Sequence, residues 1–482
     1  MAARPLTRKH LMLAAATCLF AASPAFAAEE VNQAGADKLK QAIEHYIGTK
    51  PFDSGAVTLS VKDGAYELRI NPKSVFARMP KVIAADISPF TYRLKPMDDG
   101  RYGVTFDQNV TFTYGFDGPQ GRINATAAMT DCKSDGIYDP SMFAFATMTM
   151  HCGNYSVTQN APDADTEITI KDFGIELTSK ATATGRIDMH MVETIGSLIE
   201  DVKGKDAKLP MKLLVTADGI AATMDSRGFV SRPLFDLLAL LVAPAGDTPP
   251  DQDKVKAALV ALLPLWDDTR MEAKIGNMSI DTPVGTFRIK NFTEDVAMSG
   301  LTKKAAATIG FGYDGIEMPA IVPAWAQKLT PTKGKIEFGV KDVDVDGLAR
   351  LAIAKFDPAS KPPIPPEAKD EFMKVLLAGA PHFLVNPSTL ANGGIDVKFE
   401  GDMSLLPTQA GKFTISSAGF EELRLAIANS DMPNKDKTAL AITFVKGLAK
   451  SGADGRLIWE IEFDSAGPKL IVNGQPMPIG PH

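Results

Sequence analysis

Residue types able to do chemistry are sparse and scattered in this chain of 482 residues. Beyond His10, the histidines are His45, His151, His190, His382 and His482. None stands in an HExxH arrangement or at the spacing of a recognisable hydrolase, and neither a G-x-S-x-G elbow nor a Walker loop occurs. His382 lies between Pro381 and Phe383 near Asn386, a loop-like context. A non-enzymatic protein is therefore expected, with a hydrolase assembled from distant residues as the reading held in reserve.

Two stretches imitate metal sites. Asp342, Asp344, Asp346 and Gly347 match the opening of a calcium loop, but Ile353 stands where the bidentate glutamate should be. Val343 and Val345 continue a strand alternation, so an acidic strand face entering a helix at Gly347 accounts for the motif. Met148, Met150, His151 and Cys152, with Met189, His190 and Met191, are soft ligands suited to copper(I). On a strand, however, Met148, Met150 and Cys152 share one face and His151 takes the other. Neither a metal nor a cofactor is expected.

The elements that must position these residues are mostly strands. Val57, Leu59 and Val61 precede Asp63 and Gly64, and Tyr66, Leu68 and Ile70 follow, which predicts a hairpin with one buried face. The pattern recurs around Asp99-Gly100 and Asp117-Gly118, and further Asp-Gly pairs begin at 135, 218, 314 and 454. A long antiparallel meander follows. Amphipathic helices are expected near Leu39, Ile43, Tyr46 and Ile47, and over 192–202, 233–242, 254–266, 348–356, 367–377 and 436–449. The fold class is thus α+β and mainly antiparallel β, with long curved sheets and packed helices. Residues 244–252 and 357–366 are proline-rich, and the first divides the chain into halves at 28–243 and 253–482. The stretches ITIKDF at 168–173, FRIKNF at 287–292 and FGVKDV at 338–343 resemble one another. Either they mark two related halves, or strands of similar composition look alike.

Residues 1–27 read as an export signal: basic Arg4, Arg8 and Lys9, an apolar stretch at 11–22, and a small-x-small site at Ala25, Phe26 and Ala27. The apolar stretch is shorter than the roughly 20 residues that span a bilayer. Cleavage between Ala27 and Ala28 would release a periplasmic chain with no retained span. Loss of three basic residues and no acidic one takes the net charge from −7 to −10. That balance argues against nucleic acid and against an anionic membrane surface.

Only Cys132 and Cys152 remain after cleavage, and two cysteines in an oxidising compartment pair. Strands at 122–131 and 142–151 forming a simple hairpin would hold them apart, because ten extended residues span roughly 33 Å. The bond therefore requires 133–141 to return along the sheet and the flanking strands to run the same way.

An apolar sheet face must be covered, paired or used. Phe143, Phe145, Met148 and Met150, with Leu234, Leu237, Leu238 and Leu241 from 233–242, are the candidate groove residues for a lipid or other apolar ligand. The alternative is a structural protein of the envelope that pairs through its sheets.

The signal segment, the repeated I-K-[DN]-F strands, the ending GRLIWEIEF at 455–463 and the Asn473-Gly474 turn resemble an uncharacterised family of bacterial exported proteins, domain of unknown function 2125. The last segment is also similar to the ends of AsmA-like periplasmic proteins. That resemblance implies a long β-sheet groove concerned with envelope lipids, and it brings no catalytic residue.

Overall fold

The computed structural model describes residues 30–72, 83–118, 121–205, 211–242, 251–357, 362–464 and 469–477. The export segment with Ala27 and Ala28, and most of the 244–252 linker, lie outside the described residues. The fold is mainly antiparallel β with packed helices, as the alternation predicts. It divides into two compact units, Met1–Met211 with Thr223–Asp267, and Lys212–Ala222 with Asp268–His482. The division falls at Asp267, not at the proline-rich linker, so the Gln252–Ala261 helix belongs to the first unit. Arg186 fixes this boundary: it pairs with Asp267 at 2.9 Å and donates to the Pro264 carbonyl at 2.6 Å.

In the first unit the hairpin of Val57–Lys62 and Ala65–Ile70 turns on Asp63 and Gly64, both at positive φ. A meander of long strands follows through Gly121–Asp139, Ala144–Asn160, Ala164–Ala181 and Ile187–Gly204. The Gln33–Ile47 helix starts at Asn32, whose side chain accepts from the Gly35 N–H, and ends at Gly48. Its Leu39 and Ile43 pack on Leu68, Leu94, Val104, Tyr138 and Phe145. Ile43, Leu68 and Leu94 are almost fully buried, each worth roughly 2 kcal/mol of apolar transfer.

Two expectations fail here for one reason, the length of the strands. Residues 192–202 are not a helix; they lie inside the strand Ile187–Gly204. Strands do not stop at Asp131 either. Gly121–Asp139 continues through Cys132 and turns only at Asp139, so its partner Ala144–Asn160 runs antiparallel. Asp135 and Gly136 are mid-strand, and a side chain at Gly136 would meet the Thr147 carbonyl at 2.8 Å. Cys132 and Cys152 become register partners, with Cα atoms 4.0 Å apart, and form the disulfide without any parallel pairing.

A crease crosses these strands at mid-length. Asp131 and Asp172 take φ of 55° and 53°, and they lie level with Gly153 and Gly196 on the next strands. Each left-handed residue shifts the alternation by one. Ala125, Ala127 and Met129 face the same side as Cys132, Ser134 and Tyr138, and Ile168 and Ile170 the same side as Phe173 and Ile175. The sheet keeps one apolar face across the break. In the second unit Asn277, at φ 47°, and Gly315, at φ 73°, do the same on either side of Lys290.

Candidate functional site

The apolar residues named from sequence fall mostly into cores. Phe143 and Phe145, expected in a groove, are each 7% exposed. Phe145 belongs to the core under the Gln33–Ile47 helix, while Phe143 packs with Tyr46 and Phe235. Leu237 is buried and Leu238 packs against the same cluster. Met148 packs against the first core, Met150 and Leu234 are half-buried, and only Leu241 is exposed. The reason is the Ser231–Val242 helix: Ser231 donates to the Met142 carbonyl at 2.6 Å, and the Arg232 guanidinium sits 5.0 Å from the Phe143 ring centre. The surface assigned to a ligand is filled by the chain's own side chains.

A half-buried apolar band lies elsewhere, in the second unit. Across its strands Val296, Ile309, Phe338 and Val385 are successive register partners, and the row continues past Gly401 to Phe413 and Ile461. Alternation puts Phe292, Phe311, Val340 and Phe383 on the same face. Their rings form ladders: Phe292 with Phe311, Phe338 with Phe383, and Phe413 with Phe463, at 6.4, 6.1 and 6.2 Å between centres. Ile309 and Phe338 remain 37% exposed and Met271 42%. Burial pushes the Tyr313 phenol up, as expected beside such neighbours.

Helices reach this face at its margin. Phe420, opening the Phe420–Ala428 helix, packs on Trp459 with ring centres 5.3 Å apart, and the Trp459 indole donates to the Val445 carbonyl at 2.8 Å. The Lys369–Gly379 helix meets the Lys333–Val343 strand at its end, where a side chain at Gly379 would strike the Asp342 carbonyl. Between these margins the phenylalanines stay half-open.

The polar candidates are resolved too. Asp344 is a helix cap, its carboxylate accepting from the Gly347 N–H at 2.8 Å, and Asp346 is held by Arg350 at 2.9 Å. Both are spent on the Val345–Lys355 helix, which disposes of the calcium-loop reading. Cys152 is in the disulfide, so it offers no thiolate to copper. Among the described residues no group of three His, Cys, Asp or Glu side chains is arranged to hold a metal.

His382 is not in a loop. It opens the strand His382–Asn392, and its Nδ1 shares a short hydrogen bond with Asp402, which also accepts from Lys341 Nζ at 2.6 Å. Burial pushes the Asp402 carboxyl up, but the hydrogen bonds from Lys341 and His382 outweigh it and hold the group below the usual carboxylate range. His190 and Asp225 form a similar pair at 2.7 Å. These pairs were not legible in sequence because 20 and 35 residues separate the partners. Ser404 is the register partner of His382 and Thr178 that of His190, but among the described residues neither imidazole hydrogen-bonds a serine, threonine or cysteine, Ser404 donating instead to the Leu406 carbonyl at 3.2 Å, and the His382 pair lies on the face opposite Phe383.

No family model, no curated protein and no solved structure matches this chain.

Proposed function

We propose that this is an exported, non-enzymatic envelope protein that binds an apolar ligand or lipid along a sheet-lined surface. One observation carries the reading: the phenylalanine-rich face of the second unit runs across eight hydrogen-bonded strands, is apolar but for one charged residue, and is only half-buried. Contiguous apolar surface of this kind marks a contact site in a folded protein. Each methylene that a ligand lays on it contributes roughly 0.8 kcal/mol. The disulfide fits an oxidising compartment, and among the described residues no helix is long and apolar enough to cross a membrane.

The test is gentle purification from the native envelope followed by lipid extraction and mass spectrometry. The reading expects an enriched lipid or other long apolar species, and a mature N-terminus near Ala28. Protein that carries no enriched apolar molecule and associates with itself through this face would favour a structural role in the envelope instead.

A further inference from the structure

The apolar band carries one charge. Glu294 stands in the strand Gly285–Ser299 with Phe292 and Val296 as its same-face neighbours, and its register partners are Ala273 and Phe311. It is half-buried, and among the described residues it has no hydrogen-bond or ion-pair partner. The alternation that places it there puts no lysine, arginine or histidine on this face in any described strand from Asp268–Thr282 to Leu457–Asp464. Lys335, Lys341, Lys398 and Lys412 all fall on the other side.

This asymmetry constrains what can lie on the face. An alkyl chain laid over Glu294 strips water from an unpaired carboxylate, which opposes binding unless the ligand brings a compensating group. A carboxylate or phosphate head near it would add like-charge repulsion with no cation on the face to offset it. An ammonium head supplies both charge and donors, and its alkyl tail suits the surrounding Phe292, Ile309, Phe311 and Phe338.

Building on the apolar-ligand reading above, we infer that Glu294 is the anchor for an ammonium group, and that the ligand class is a cationic or amine-headed amphiphile. The test is calorimetric titration of the full chain at neutral pH with three probes of equal tail length below their micelle concentrations: dodecylammonium, dodecyl maltoside and dodecanoate. The ammonium probe should bind at least about tenfold more tightly than dodecanoate, as a charge-assisted contact gives. Glu294→Gln should remove that preference without weakening dodecyl maltoside binding, because the neutral amide costs less to desolvate than the carboxylate. Glu294→Lys should reverse it toward dodecanoate. Circular dichroism and binding of the neutral probe report whether each variant folds. Equal binding of the three probes, or a preference that survives both substitutions, overturns the role of Glu294 and leaves the apolar surface standing. Failure of all three probes to bind overturns the surface itself, and the anchor with it.

Discussion

At the scale of single residues, the crease is the feature most sensitive to chemistry. A side chain at Gly196 would place its Cβ 3.0 Å from both Cβ and Oδ2 of Asp172. Gly196→Ala should therefore lower stability by about 1–3 kcal/mol, seen as a reduced midpoint in thermal unfolding. Asp172→Gly should be nearly neutral, because glycine takes a φ of 53° freely, whereas Asp172→Val should cost more than either. Glu421 offers a second residue-level handle. Hydrogen bonds from Arg424 and Lys446 hold its carboxyl down at about 2, and the one from Lys446 ties the Phe420–Ala428 helix to the Lys435–Gly447 helix. A carboxyl depressed in the folded state stabilises above its unfolded pKa and loses that contribution as pH falls through the folded value. The contribution should fade between about pH 4.5 and about pH 2, and Glu421→Gln should flatten that part of the curve of unfolding midpoint against pH.

At the scale of elements, the disulfide bridges two adjacent strands and closes a loop with a sequence separation of 20. Replacing both Cys132 and Cys152 by alanine should cost about 3 kcal/mol, measured as a lower denaturant midpoint with little change in m. Which elements could be read from sequence depends on the crease. Plain alternation gave the hairpin at Asp63 and Gly64, and helical spacing gave the Gln33–Ile47 helix, because each signal is local. Ile195, Leu198 and Val202 imitate a helix only because Gly196 interrupts the period of two, turning an interval of two into three. The I-K-[DN]-F stretches have the same origin: Ile170 and Phe173 share a face across Asp172, as Ile289 and Phe292 do in the second unit. The likeness reflects a repeated break in the strands. Asp218-Gly219 and Asp314-Gly315 read as turns for the same reason, since left-handed backbone serves both purposes, while Asn473-Gly474 is a true hairpin turn. The open apolar band was not legible at all. Its exposure depends on where helices stop, which alternation within a strand does not encode.

At the scale of the whole molecule, the chain divides after Asp267, and the first unit depends on residues beyond the proline-rich stretch. A fragment ending at 267 keeps the contacts of Arg186 with Pro264 and Asp267, and one ending at 243 loses them. The shorter fragment should unfold at lower urea concentration, and Arg186→Ala in the full chain should move the transition in the same direction. The crease also bears on how the strands of the sheet find one another. The strands that carry Asp131 and Asp172 are paired on both sides, so each left-handed residue obliges its neighbours to bend at the same level. A strand that slipped by one residue would set its break against unbroken neighbours and turn its apolar side chains to the wrong face. The same aspartates and glycines that keep one side of the sheet oily thus also act as a ratchet, locking each long strand at a single position against the next.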